Sequence, residues 1–136
     1  MYVELIGRWI TGPLDPAVPA RAPVEVVWPR LETGVVSLVL KDQNEQPIDL
    51  DLATMPPPDS LTLSIGSSFS WGPLKEIKGS VLSNPEVGRY QFVVPLDAFS
   101  GLAGLLIYDI TVVKGSGRQA VVPTGYWRLL DSVFNG

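Results

Sequence analysis

Residues 104–133 read GLLIYDITVVKGSGRQAVVPTGYWRLLDSV, and the alternation in this stretch decides the fold. Leu106, Tyr108, Ile110 and Val112 place a large apolar side chain at every second position, the period of a strand with one face on a core. The intervening Leu105, Ile107, Asp109, Thr111 and Val113 are only partly polar. A strand apolar on both faces is central or covered, so this second face is expected to lie under an N-terminal arm, another sheet neighbour or another subunit. Lys114-Gly115-Ser116-Gly117-Arg118 supplies two glycines to a turn that needs positive φ. The chain then returns through 119–122, meets Pro123 and resumes over 126–133, closing a hairpin of an antiparallel sandwich.

Working outward, the same period recurs upstream. Val3, Leu5 and Trp9 alternate with Glu4 and Arg8 and stop at Thr11-Gly12-Pro13. Val36, Leu38 and Leu40 mark the core side of a strand over 35–41. Leu61, Leu63 and Ile65 mark another, with Thr62 and Ser64 on the wet face. A strand is expected over 77–82, and Tyr90, Phe92 and Val94 set the next. Asp97 is expected to cap a single helical turn through Phe99, stopped at Gly101. Seven or eight short strands with turn signals between them give an all-β, immunoglobulin-like antiparallel β-sandwich. Roughly fifteen inward side chains, each contributing about 1.5–3 kcal/mol on burial, are enough to fold one domain.

Five prolines between 13 and 29 make a semi-extended segment that cannot join the middle of a sheet. It is either a surface connection or an arm on a neighbouring subunit, and the hydrophobic Val24, Val26, Val27 and Trp28 favour the arm. The chain is therefore divided into an N-terminal strand and proline-rich arm, 1–27, and a sandwich, 28–136.

Composition excludes several chemistries. The 136 residues contain no Cys and no His, and 10 basic against 14 acidic residues give a net charge of -4. Without His, the commonest general base and transition-metal ligand is missing. No basic patch suits nucleic acid. No apolar run approaches the roughly 18 residues of a membrane span, and Glu4 and Arg8 within the first apolar pattern argue against a signal peptide.

Asp42, Glu45, Asp49 and Asp51 form the densest acidic cluster, and Asp42-x-Asn44-x-Gln46 opens like a calcium loop. Pro47 stands where that loop needs Gly, and Ala53 where it needs a bidentate Glu, so a plain turn is expected and no metal. No G-x-S-x-G elbow or phosphate cradle is present, and no catalytic residue or cofactor is assigned. Trp9, Trp28 and Trp71 lie in or beside loops and the arm, where sugar stacking or a protein interface would employ them, whereas Trp127 is expected in the core. Phe69 and Trp71 on a polar loop are read as a lid over a sheet edge in preference to a ligand contact. The interface candidates are Trp9, Val26, Trp28, Phe69, Trp71, Leu105, Ile107 and Val113.

From Trp28-Pro29 onward the motif order is familiar. A strand ends at Lys41-Asp42, then Gln43-Asn44-Glu45-Gln46-Pro47-Ile48-Asp49-Leu50 follows. This resembles the D-x-x-G-x-P-I-D-L turn and following strand of the immunoglobulin-like domains in tailed-phage virion proteins, including the N-terminal domain of upper baseplate proteins. Gly88-Arg89-Tyr90, Pro95-Leu96-Asp97, Tyr108-Asp109-Ile110 and Gly125-Tyr126-Trp127 are similar to the second half of such domains, ending in their Y-D-[LIV] hairpin. The match spans about 28–133 and departs from the pattern at Glu45, where Gly is usual, and at the apolar Leu105 and Ile107. It implies a non-enzymatic structural virion protein of a tailed bacteriophage, an assembly or adaptor component on the tail, baseplate or fibre attachment, with capsid decoration as the competing location. Its partners would be other virion proteins and copies of itself, as trimer or hexamer, in a virion assembled in the host cytoplasm. The alternative is a carbohydrate-binding β-sandwich module that takes a host surface glycan. On the assignment of faces, Ile110→Asp is expected to abolish folding and Thr111→Asp to be mild; equal damage in thermal unfolding would refute it.

Overall fold

The computed structural model describes residues 1–10, 24–67, 74–82, 87–102 and 104–130. In chain order its strands are β1 (Tyr2–Trp9), β2 (Val26–Pro29), β3 (Gly34–Asp42), β4 (Ser60–Gly66), β5 (Lys75–Lys78), β6 (Ser80–Val81), β7 (Arg89–Val94), β8 (Leu105–Lys114) and β9 (Gly117–Leu130). They form a four-stranded sheet, β1-β3-β7-β6, and a five-stranded sheet, β2-β9-β8-β4-β5. The two pack face to face as the expected all-β sandwich. Leu106, Tyr108, Ile110 and Val112 of β8 are all buried, as are Leu61, Leu63 and Ile65 of β4 and Trp127 of β9. Across the core stand Val36, Leu38 and Leu40 of β3 and Tyr90, Phe92 and Val94 of β7, also buried.

The closing hairpin turns on a two-residue loop between paired Lys114 and Gly117. Only Gly115 takes positive φ, 59°, so the turn needs one permissive residue where the sequence suggested two. Gly117 serves packing instead: a Cβ there would lie 3.2 Å from the Trp9 ring. Downstream, the β8–β9 register shifts between Tyr108 and Ile110 and again between Ile110 and Thr111. Val121 and Val122 are both buried, which is how bulges let the strand carry Pro123 without breaking.

Both sheets are mixed, because β1 pairs β3 in parallel and β2 pairs β9 in parallel. The boundary expected at residue 27 falls within β2, and β1 is an edge strand of the four-stranded sheet. β1 delivers Leu5 and Trp9 to the core, to which β2 adds Val26; parallel pairing across a crossover leaves no mark on the alternation along either strand. The strand expected over 77–82 divides at Gly79, with β5 in one sheet and β6 in the other. A Cβ on Gly79 would come within 2.5 Å of Leu61, so only glycine lets the chain pass between sheets here. Residues 95–102 form no helix; Ala98 N–H, Ser100 N–H and Leu102 N–H donate to the carbonyls of Pro95, Asp97 and Phe99 in successive turns.

The connection from β3 to β4 is tied down by side chains. Ile48 N–H donates to Leu40 O at 3.0 Å, after which the chain leaves the sheet without forming the strand implied by the family resemblance. The Tyr90 hydroxyl donates to Ile48 O and accepts from Leu50 N–H, each at 2.7 Å. Asp59, nearly buried, accepts from Asp51 N–H at 2.8 Å and from Gly115 N–H at 3.2 Å. Lys114 Nζ lies 3.8 Å from the same carboxylate and donates to Asp49 O at 2.8 Å. One carboxylate thus joins this crossing to the β8–β9 turn. Asp59→Ala is expected to lower the unfolding free energy in denaturant titrations by about 2–3 kcal/mol, since it strands two amides and an ammonium group; a loss under about 0.5 kcal/mol, the range of ordinary surface changes, would show that the clasp is idle.

Candidate functional site

Three of the interface candidates are occupied by this chain's own core. Trp28 and Val26 on β2 are buried, and Trp9 is nearly so. Trp28 stacks at 5.4 Å from Trp127, which also meets Phe99 at 5.5 Å and Tyr108 at 5.7 Å. The Trp28 Nε1–H donates to Glu32 O at 3.1 Å. β2 is held on that layer at its start, where the Tyr108 hydroxyl donates to Val24 O at 2.6 Å. Gly125 makes room for that carbonyl, which a Cβ would approach to 2.7 Å. Phe69 and Trp71 lie outside the described residues.

Leu105, Ile107 and Val113 remain, all on the outer face of the five-stranded sheet, Leu105 and Ile107 at one end and Val113 at the other, between Ser60 and Arg118. Leu105 and Val27 both lie beside Arg128, one on each neighbouring strand. Ile107 lies beside Tyr126. Leu105 is 47% exposed and Tyr126 49%, with Val27 and Leu130 similarly open. Arg128 Nε donates to Glu25 Oε1 at 2.7 Å, setting one ion pair inside this apolar end. Further along the same strands the face turns polar. Thr62 pairs with Thr111, and Ser64 with Asp109. A depression of about 200 Å³ opens there, lined by these hydroxyls together with Ser60, Glu76, Val113 and Arg118. Partial burial raises the Asp109 carboxyl from its ordinary value, opposed by the Arg118 charge.

The sequence reading did not single out the outer face of the other sheet, where Tyr2, Val35 and Val93 share one row. Tyr2, Ile6 and Val93 are exposed. The signal was available as the residues alternating with buried Leu5, Val94 and Phe92, but an exposed apolar residue on a strand is common and points nowhere alone.

The acidic cluster serves turns. Asp42 Oδ1 accepts from Asn44 N–H at 2.7 Å and Gln46 N–H at 3.0 Å. Glu45 takes φ of 62°, the left-handed conformation, at the position where the resembled motif has Gly. Its carboxylate pairs with Arg8 and lies 3.8 Å from Lys41 Nζ. Asp51 accepts from Thr54 Oγ1–H at 2.7 Å and from the Thr54 and Ala53 amides. These bonds, the Thr54 hydroxyl first, hold its carboxyl below the ordinary value. Among the described residues no three acidic side chains converge as metal ligands.

No protein-family model matches the chain, and no curated protein matches it. Among solved structures, the N-terminal domain of phage TP901-1 ORF48 is similar, with 12% sequence identity and a TM-score of 0.49 over 95% of this chain and 98% of that one.

The two tyrosines that clasp backbone carry a pH dependence. Desolvation pushes both Tyr90 and Tyr108 up to about 12. With the folded value above the unfolded value near 10, their contribution is complete below about pH 10 and is lost as pH climbs through about 12. The denaturant midpoint is therefore expected to fall across that window, and less steeply in Tyr108→Phe, which has one such group fewer. A midpoint unchanged through the window would contradict this role.

Proposed function

We propose that the chain is a non-enzymatic structural protein of a tailed-phage particle, an assembly or adaptor component of the tail, baseplate or fibre attachment. The observation carrying this reading is that the motifs shared with phage virion immunoglobulin-like domains form contacts with one another. Asp42 organises the turn leading to Pro47-Ile48-Asp49-Leu50, and Tyr90 clasps the backbone at Ile48 and Leu50. Tyr108 pairs with Gly125, and Trp127 with Leu106. Glu45 adopts the conformation that the family's glycine would supply.

The apolar end of the five-stranded sheet, Val27, Leu105, Ile107 and Leu130, is the docking surface for a neighbouring virion protein. Trp9, Val26 and Trp28 have no part in it, being interior. A particle presents each site in many copies, so contacts that are weak singly hold the subunit through multivalency, and closed symmetry makes a trimer or hexamer the natural copy number. With tail, baseplate or fibre as the location, capsid decoration is the outcome that particle dissection would reveal instead.

Mass spectrometry of purified particles of the encoding phage is expected to find the chain in tail fractions. Leu105→Asp combined with Val27→Asp should leave the melting temperature within about 2 °C and reduce incorporation at least about tenfold. Absence of the wild-type chain from particles would sink the virion reading. Normal incorporation of the double variant would sink this docking face alone.

A further inference from the structure

The polar half of the same outer face has a chemistry that docking does not use. Ser60, Thr62 and Ser64 occupy successive outward positions of β4, and Thr111 stands across from Thr62 on β8. Strand geometry sets such hydroxyls about 5 Å apart across the sheet and about 7 Å apart along it. Each hydroxyl can both donate and accept. Glu76 closes one side of the depression and Arg118 another, adding a pure acceptor and a forked donor. Asp109 lies in the next row, paired with Ser64. Among the described residues its carboxylate accepts no hydrogen bond and meets Arg118 only as a nearby charge.

The lining discriminates among ligand classes. An anion would face Glu76 and Asp109, and a metal cation would face Arg118 without three converging ligands. An apolar molecule would leave the hydroxyls and Asp109 without partners, which costs binding free energy once water is displaced. A neutral polyhydroxylated chain meets each requirement, since every sugar hydroxyl both donates and accepts. One row beyond Asp109 lies Ile107, flanked on β9 by the half-exposed Tyr126. The distance from Thr111 to that row, four residues along a strand, is about 13 Å. That length suits a short oligosaccharide, with an aromatic ring at one end to stack on a pyranose face.

We infer that the outer face of β4 and β8, from Arg118 and Thr111 through Asp109 to Tyr126, binds a neutral oligosaccharide. This goes beyond the virion reading and does not depend on it: a glycan site can fail while the chain is still found in particles, and it can hold if the chain is not.

The test uses the full chain, ¹⁵N-labelled, titrated with cellotetraose, maltotetraose, mannotetraose and chitotetraose to about 10 mM, where affinities of millimolar order register. At least one is expected to move amides of 60–64, 107–113, 118 and 126 together. Asp109→Ala and Tyr126→Ala should each weaken that binding by about fivefold or more, with the melting temperature unchanged within about 2 °C. Thr62→Val serves as a third variant should either prove unstable. No shift with any of the four sugars overturns the proposal. So do shifts centred elsewhere, including around Trp71, and binding indifferent to the substitutions.

Discussion

The meeting of Trp127 with Trp28, Phe99 and Tyr108 is the contact on which the rest of the sandwich depends. Each ring arrives from a different part of the chain: β9, β2, the turns after β7, and β8. Bringing them within 5.4–5.7 Å of Trp127 fixes how β2 lies on β9 and how the crossing at 95–102 caps the core. Truncating a buried tryptophan costs about 3–5 kcal/mol, a large part of the roughly 5–15 kcal/mol that holds a domain together. The packing is strong enough to tolerate a polar defect, because the Trp127 Nε1 finds no acceptor among the described residues. An unsatisfied donor costs about 1–3 kcal/mol, less than the rings return. Gly125 and the Tyr108 hydroxyl then set the approach of the Val24 carbonyl, so a short four-residue strand acquires a defined place.

What could be read in the sequence was whatever depends on neighbours along the chain. The alternation of Leu106 through Val112 gave the buried face correctly, as did Val36, Leu38 and Leu40, because side chains on a strand alternate irrespective of its partner. Pairing across the chain left no such trace. The parallel joining of β1 to β3 and of β2 to β9 depends on crossovers whose length says nothing about direction. For the same reason Val26 and Trp28 looked like residues of an arm, and Trp9 like an interface residue at a strand end, while all three are core. Gly79 was legible only as a small residue within an apolar run; that it marks a change of sheet requires knowing that Leu61 stands over it. Leu105, Ile107 and Val113 were correctly assigned to the second face, and Leu105 in particular remains open to solvent. The polar depression beside them was not legible, since Ser60, Glu76 and Arg118 lie far apart in sequence and only register brings them together.

The outer face of the five-stranded sheet divides along its strands into an apolar end and a hydroxyl-rich end. Residues in one row are neighbours on different strands, so the division reflects the order of rows and not the composition of any strand. β8 alone contributes Leu105 and Ile107 to one end and Thr111 to the other. Such a face can meet two partners, which would share the row of Ile107 and Tyr126 where the two ends join.

The parallel pairing of β1 with β3 has a mechanical consequence. Eight successive positions from Tyr2 to Trp9 are matched to Val35 through Asp42, and the strand ends in a Trp9 side chain seated in the core. A pull on Tyr2 along the strand axis loads that ladder in shear, so its bonds must yield together; a pull perpendicular to the sheet would peel them one at a time. Resistance to force would then be set by the rate of unfolding more than by equilibrium stability, and the domain would bear tension best along the direction in which its first strand runs.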